Sequence, residues 1–477
     1  MLRVRFTSRE VGAGLPLLTP LRPADALPLE AAPAGFTAAA EALLDLPGTP
    51  RRAYLGLGPA PKQPGFEQAG VVAAQRLKEV PHLAVDARGL APMEAAWLCA
   101  GLALGAWVFD RHRAMPSPAL GRVSVRVADP RAAEAAWAQV APGVEGCLWA
   151  RDLVSEPANH LTTRRFAEQL ETLAEHGIHV DIWGRKRLAR AGMGALLAVG
   201  AGSATPPRLA VLRWRGSIVA PTVAFVGKGI VFDTGGISIK PAQGMESMRA
   251  DMAGAAACAG AMLALAKRHA PAPAVAVLAL AENATGAASY RPSDVLRMAS
   301  GRTVEVVDTD AEGRLVLADA LHHAVSAFAP RAVIDLATLT GAVVSALGTH
   351  RAGLFGTDAA LLAEIAAVGE AVGERLWPLP IGDQHRADLA SDIADLRQCV
   401  PAGKGEGWAG RFTPDASHAA AFLREFVGDT PWAHLDIAGV DTQEGAHALG
   451  PKGATGFGVR LLDRLMAQHF EAEAAHP

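Results

Sequence analysis

The stretch VDTDAEGRLVLADAL, residues 307–321, decides the reading of the fold. It joins a β-rich run, TVEVV (303–307), to a helical pattern at 315–328. The same rhythm surrounds it. PTVAFVG (221–227), APAVAVLALA (272–281) and RAVIDLA (331–337) read as strands, and 251–268 and 341–347 as helices. Strands alternating with helices imply a mostly parallel sheet covered by helices on both faces. Ligands bind such sheets beyond the carboxyl ends of the strands. The charged residues of the opening stretch follow one of these strands.

Asp308, Asp310, Glu312 and Arg314 stand there on alternate positions between two apolar segments. Crowded like charges repel, and burying them is costly without a counter-charge. Asp310, Glu312 and Arg314 face one side only if the chain is extended, and Gly313 disfavours a helix. Thr309 and Glu312 also fit a capping box, which would simply start the helix at 315. A second stretch, VGKGIVFDTGGISIKP (226–241), follows a strand and holds Lys228, Asp233 and Lys240 among four glycines. Asp251 then opens a helix. Glycines let a backbone approach a ligand closely, although an ordinary surface loop has the same composition. The phosphate-loop pattern GxxxxGK[ST] is absent. Taken together, four carboxylates (Asp233, Asp251, Asp310, Glu312) lie beyond strand ends, and a pair of hard divalent cations would neutralise them. No HExxH or His/Cys cluster has zinc-ligand spacing. His322 and His323 read as structural.

A chain of 477 residues exceeds one core, so two domains are expected. The class is α/β, with a small N-terminal α/β domain (1–145) and a larger catalytic domain (146–477). In the first, 52–58, 83–86 and 122–127 read as strands and 91–109 as a helix. The junction falls at 145–160, where Pro157 and Asn159 break a helical pattern and a new helix starts near Thr163. A net charge of −3 gives no bulk signal for nucleic acid or an anionic membrane. The uncharged apolar stretch 95–109 is short for a membrane span. Four scattered cysteines read as free thiols, and the charged start MLRVRFTSRE has no apolar leader pattern. A cytoplasmic protein is expected.

VGKGIVFDTGGISIKP, MRADMAGAA, DTDAEGRLVLADAL and IDLATLTGA resemble the leucyl (cytosol) aminopeptidases, peptidase family M17. The likeness extends through SDIADLRQ (391–398), AAAFLREFV (419–427), PWAHLDIAG (431–439) and KGATGFGVRLL (452–462). It implies a two-metal exopeptidase, cytoplasmic and hexameric, that acts on peptides through Mn²⁺ or Zn²⁺. By resemblance, Lys228, Asp233, Asp251 and Glu312 hold the tighter metal. Asp233, Asp310 and Glu312 hold the more exchangeable one. Lys240 and Arg314 form the catalytic pair, and Arg314 with Gly313 and Leu339 holds a bicarbonate as general base. Met248, Thr338, Gly341, Ala438 and Asp441 line the pocket for the first side chain. Lys228 must be neutral to coordinate, so its pKa is expected to be lowered by the nearby dications and burial. Asp441 would favour basic or polar first residues, unless its loop turns it to solvent. Two departures stand out: Asp308 replaces a common Asn, and GKGEGWAGRFTPDASHAA (403–420) brings Pro414, Asp415 and His418 to the site's rim. The alternatives are a two-metal phosphoesterase, or a binding protein that kept the fold and lost catalysis.

Overall fold

The computed structural model describes residues 2–12, 14–31, 34–401 and 413–471. The chain divides into two compact units. One comprises Met1–Leu148 with the short pieces Ala371–Gly373 and Gln443–Thr455. The other comprises Trp149–Glu370, Glu374–Thr442 and Gly456–Pro477. The helix Pro130–Ser155 contains the division, and the next helix, Thr163–Glu171, is capped by the Thr162 hydroxyl.

The first unit has a six-stranded sheet in the order Arg3–Thr7, Arg122–Arg126, His82–Asp86, Leu17–Leu21, Arg52–Gly56, Leu43–Leu46. All its pairings are parallel except the last. The expected strands and the helix (Pro92–Gly105) are present. The strands at 3–7, 17–21 and 43–46 and the helix Gln63–Arg76 are additional.

The second unit is built on an eight-stranded sheet in the order Leu376–Pro378, Ala352–Gly356, Trp432–Asp436, Ala332–Ala337, Val223–Asp233, Ala274–Asn283, Arg208–Trp214, His179–Trp183. The four strands in the middle run parallel, and antiparallel pairings flank them. They read VAFVGKGIVFD, AVAVLALAEN, AVIDLA and WAHLD, and nearly every residue is buried. Near-continuous burial is the mark of strands covered on both faces.

Two local expectations are corrected. The central strand does not stop at 227 but continues to Asp233. Gly227 and Gly229 belong to it because neighbours come too close for a side chain. A Cβ on Gly227 would stand 2.5 Å from Ala255 Cα, in the helix Ala253–Lys267, and one on Gly229 would stand 2.6 Å from Leu280 Cδ2. Only Gly235 and Gly236, with φ of 84° and 67°, make the ligand-side turn. Second, the run expected at 303–307 forms only Thr303–Glu305. It lies in a separate three-stranded sheet with Val295–Arg297 and Leu396–Arg397.

Among the described residues, the helical stretch Met245–Lys267 is long and apolar enough to cross a membrane. Its most apolar window is 94% buried inside the protein, so it serves as core. His323 packs edge-on against Trp183 and Phe328, as a structural histidine does.

Candidate metal centre

The site forms where the four parallel strands end. Lys228 and Asp233 are carried by the central strand, and Asp233 is its last residue. Asn283 ends the neighbouring strand and comes opposite Asp233 after a register shift. Thr338 follows Ala332–Ala337 directly, and Asp436 closes the fourth strand. Asp251 sits between a 3-10 turn, Met245–Ala250, and the buried helix Ala253–Lys267.

Glu312 begins the helix Glu312–Phe328. That overturns the extended reading of 310–314. It also overturns the capping box, because the Thr309 hydroxyl donates to the Gly235 carbonyl (2.6 Å) and accepts from the Ser238 N–H (2.8 Å). Residues two apart on a helix point to different sides. Glu312 therefore turns to Lys228, while Arg314 turns to Gln398 and Asp415. Gly313 is required between them, since a Cβ there would meet Lys228 Cε at 2.6 Å.

The inner half of the centre is sealed. Lys228 Nζ lies 2.7 Å from Asp251 Oδ1 and 2.9 Å from Glu312 Oε1, and donates to the Thr338 carbonyl at 2.8 Å. The Thr338 hydroxyl donates to the same Asp251 oxygen. The outer half is open. Lys240 Nζ lies 2.9 Å from Asp233 Oδ2 and also pairs with Asp310. Asp233, Asp310 and Glu312 each offer one oxygen within 4.8 Å of the others. Two buried carboxylate oxygens, Asp251 Oδ2 and Glu312 Oε2, have no hydrogen-bond partner. An orphaned anionic oxygen in a dry site is costly unless a cation meets it.

Burial raises Glu312 to about 8 and Asp251 to about 7, with repulsion from Asp233 adding to it and the attraction of Lys228 opposing it. Burial likewise raises Asp310 to about 6. For Lys228 burial works downward, but the charges of Asp251, Glu312 and Asp233 outweigh it and hold the proton on. The lowered lysine expected from the sequence depends on two dications at the carboxylates; without them the charged neighbours are all anionic and favour the ammonium. Lys240 is raised in the same way by Asp233 and Asp310.

Three supporting residues escaped the sequence reading. The Asn283 side-chain amide donates to Asp233 Oδ1 (2.8 Å) and to the Thr309 carbonyl (2.9 Å). The Tyr290 hydroxyl donates to that carbonyl as well, at 2.8 Å. Gln398, fully buried, accepts from the Val307 N–H (2.7 Å) and donates to the carbonyls of Asp308 (2.7 Å) and Ala311 (3.2 Å). It clamps the loop that carries Asp310. Asp308 itself accepts from the Asp310 N–H at 2.9 Å.

The residues assigned to the side-chain pocket are dispersed around the strand ends. Met248 is half-buried on the 3-10 turn, and Gly341 opens a short helix with free space where a Cβ would stand. The N–H groups of Leu339 and Ala438 both donate to Asp436 Oδ1, at 3.0 and 3.2 Å. Burial raises Asp441 to about 6, and the backbone N–H groups of Thr442, Asp441 and Gly439 hold its carboxylate within its own loop. Of the divergent stretch, residues 403–412 lie outside the described residues. Asp415 is on Arg314, and His418 Nε2 is 3.0 Å from Asp388.

The model of the cytosol aminopeptidase family's catalytic domain matches residues 148–463. A probable cytosol aminopeptidase of Brucella melitensis is 45% identical over 397 residues, 82% of this chain and 80% of that protein. One from a Chelativorans species is 44% identical over 411 residues, 84% and 81% of the two chains. Among solved structures, the bottromycin maturation enzyme BotP in complex with Mn superposes with a TM-score of 0.87 at 33% identity. The match covers 97% of this chain and 100% of that one. The chain belongs to the cytosol aminopeptidase family, and its chemistry is that of an aminopeptidase, a hydrolase of peptides.

Proposed function

We propose that this protein is a metal-dependent aminopeptidase that releases N-terminal residues, leucine and similar apolar ones, from peptides. The observation that carries this reading is the pair of orphaned buried oxygens on Asp251 and Glu312, inside a group of four acids. The donor set fits hard divalent ions. Lys228, Asp233, Asp251 and Glu312 would hold one, and Asp233, Asp310 and Glu312 the other. Two such ions would acidify water and polarise the scissile carbonyl. Manganese in the similar BotP structure supports the choice of ion.

The chain's own residues supply the rest. Asn283 fixes the Asp233 carboxylate, as an outer hydrogen bond to a ligand does. Lys228 can ligate only as a neutral amine, and ions at the carboxylates would offset the negative charge that now holds its proton. Lys240, on the open side, places an ammonium where the carbonyl oxygen gains charge. The acidic centre favours the substrate's free α-amine, which limits cleavage to the first residue. A hexamer belongs to the same reading, and light scattering tests it.

The decisive experiment combines metal analysis with two substrates. Two ions per chain are expected, with leucyl-p-nitroanilide hydrolysis abolished by chelation and restored by Mn²⁺ or Zn²⁺. Turnover of p-nitrophenyl phosphate instead of the anilide would overturn the proposal.

A further inference from the structure

Two strands of the large sheet carry a row of buried charged groups that the chemistry above does not use. Trp432, His434 and Asp436 alternate along the strand Trp432–Asp436, so all three face one side of the sheet. His434 stands opposite Asp335 of the neighbouring strand. Its Nδ1 lies 2.6 Å from Asp335 Oδ1, and the Trp432 indole N–H donates to Oδ2 at 2.6 Å. Asp335, His434 and Asp436 are all fully buried. Two carboxylates on one dry face are costly without a cation between them. Burial works against a charged His434, and so does the Arg314 guanidinium, but Asp335 and Asp436 outweigh them and raise its pKa. Burial in turn raises the Asp436 carboxyl, and the charge of His434 is the main influence opposing that rise.

Asp436 gathers three donors from the loops beyond the strand ends. They are the Leu339 N–H at 3.0 Å, the Thr340 hydroxyl at 2.7 Å and the Ala438 N–H at 3.2 Å. Leu339 and Thr340 directly follow Thr338, which sorts the inner half of the centre. Its carbonyl accepts from Lys228 Nζ, and its hydroxyl donates to Asp251 Oδ1. With Oδ1 so engaged, Asp251 Oδ2 is the oxygen left bare. The structural acid Asp319 also ties three N–H groups, but only burial and those N–H groups act on its carboxyl. Asp436 differs in having an imidazole held beside it by a second acid. An ionised acceptor holds its donors about twice as strongly as a neutral one.

We infer that Asp436, with the buried His434 as its counter-charge, is the positioning residue of the inner half of the centre. It fixes the loop 338–340 so that Thr338 reaches both Lys228 and Asp251. The inference rests on the metal-dependent aminopeptidase reading above.

The test titrates the chelated full-length protein with Mn²⁺ by calorimetry and follows leucyl-p-nitroanilide hydrolysis at limiting and saturating Mn²⁺. Asp436→Asn is expected to weaken the tighter ion by roughly 10- to 100-fold, while the more exchangeable ion binds as in wild type. Activity should fall at limiting Mn²⁺ and return at saturating Mn²⁺, a rescue that a merely damaged fold would not show. His434→Asn keeps a donor for Asp335 without the charge, and should weaken the same ion by roughly 10-fold. Because His434 acts through Asp436, the double variant should lose no more than Asp436→Asn alone. Thr340→Val removes one donor, should weaken the same ion, and carries the test if the Asp436 variant does not fold. Unchanged affinity for the tighter ion in the folded variants overturns the inference. So does equal weakening of both ions, or additive loss in the double variant. A wild type that binds both ions and hydrolyses no anilide would instead overturn the aminopeptidase reading, and the affinities would still decide the role of Asp436.

Discussion

Glu312 and Asp319 are two acids on one helix, two turns apart, both essentially without solvent. Burial raises both, to about 8 and about 7. Their surroundings differ. Asp319 Oδ2 accepts the N–H groups of Ala195 and Leu196, each at 3.0 Å, and Oδ1 accepts that of Ala299 at 2.8 Å. Every oxygen is used, and the backbone of three residues is tied to the helix. Glu312 has one oxygen on Lys228 and the other on nothing. A raised carboxyl therefore does not mark a site by itself, since buried structural acids show it too. The unsatisfied oxygen separates the two. Asp319 completes the fold, and Glu312 leaves room for a ligand.

The sharpest way to break this contrast is to neutralise each acid. Glu312→Gln keeps the volume and removes the shared charge. kcat/KM is expected to fall roughly 10⁴-fold, equal to about 5.5 kcal/mol, with both ions lost by metal analysis and melting of the metal-free protein no worse than wild type. Retained turnover with two ions bound would move the centre elsewhere. Asp319→Ala should do the reverse. It leaves three buried N–H groups without acceptors, and stability should drop by about 3 kcal/mol. Activity per folded molecule should stay near wild type. A thermal melt and an active-fraction titration separate the two effects.

What the sequence shows and hides follows the same line. Charge in an apolar context is conspicuous, so Asp233, Asp251, Asp310 and Glu312 could be picked out, and alternating strands and helices were readable from apolar runs. The continuation of the central strand through Gly227 and Gly229 was not. Glycine usually interrupts a strand, and the reason it does not here is a helix pressing on the strand, a tertiary fact. The helical start at Glu312 was hidden because its first turn has no capping side chain. Asn283, Tyr290 and Gln398 are neutral and look like any strand-end or loop residue. Asn283 had one usable signal, its place at the end of a buried strand, like Asp233. Asp415 was visible as a departure, but its partner Arg314 lies 101 residues away and only the fold brings them together.

Gln398 sharpens the contrast at a smaller scale, because it holds the loop of Asp310 without being one of the proposed ligands. Gln398→Ala frees the loop 307–311 from three hydrogen bonds. Outer contacts of this kind change activity or metal affinity by roughly 10- to 100-fold. The loss should appear as weaker binding of the more exchangeable ion, with the inner ion retained, in a titration of activity against Mn²⁺. Equal weakening of both ions would place Gln398 in the fold's support, beside Asp319.

The smallest expected effect concerns the pH dependence of Asp319. Its carboxyl ordinarily titrates near 3.8 and is raised to about 7 in the folded chain by burial, against the pull of three backbone N–H groups. Between those two values the folded state binds the extra proton and the unfolded state does not. By linkage the contribution to stability is full below 3.8 and is lost as pH rises through 7. Asp319→Asn cannot titrate there, while the other acids respond alike in both proteins and cancel in the difference. The stability of wild type relative to Asp319→Asn should therefore grow as pH falls from 8 to 5, by on the order of 1 kcal/mol. Denaturant melts at four pH values measure it. A flat difference would mean that the three N–H donors hold the carboxylate ionised throughout, so that hydrogen bonding outweighs burial at Asp319. Glu312, with its second oxygen unpaired, would then differ from Asp319 in charge state as well as in partners, and the contrast between the two acids would be wider than their similar pKa values suggest.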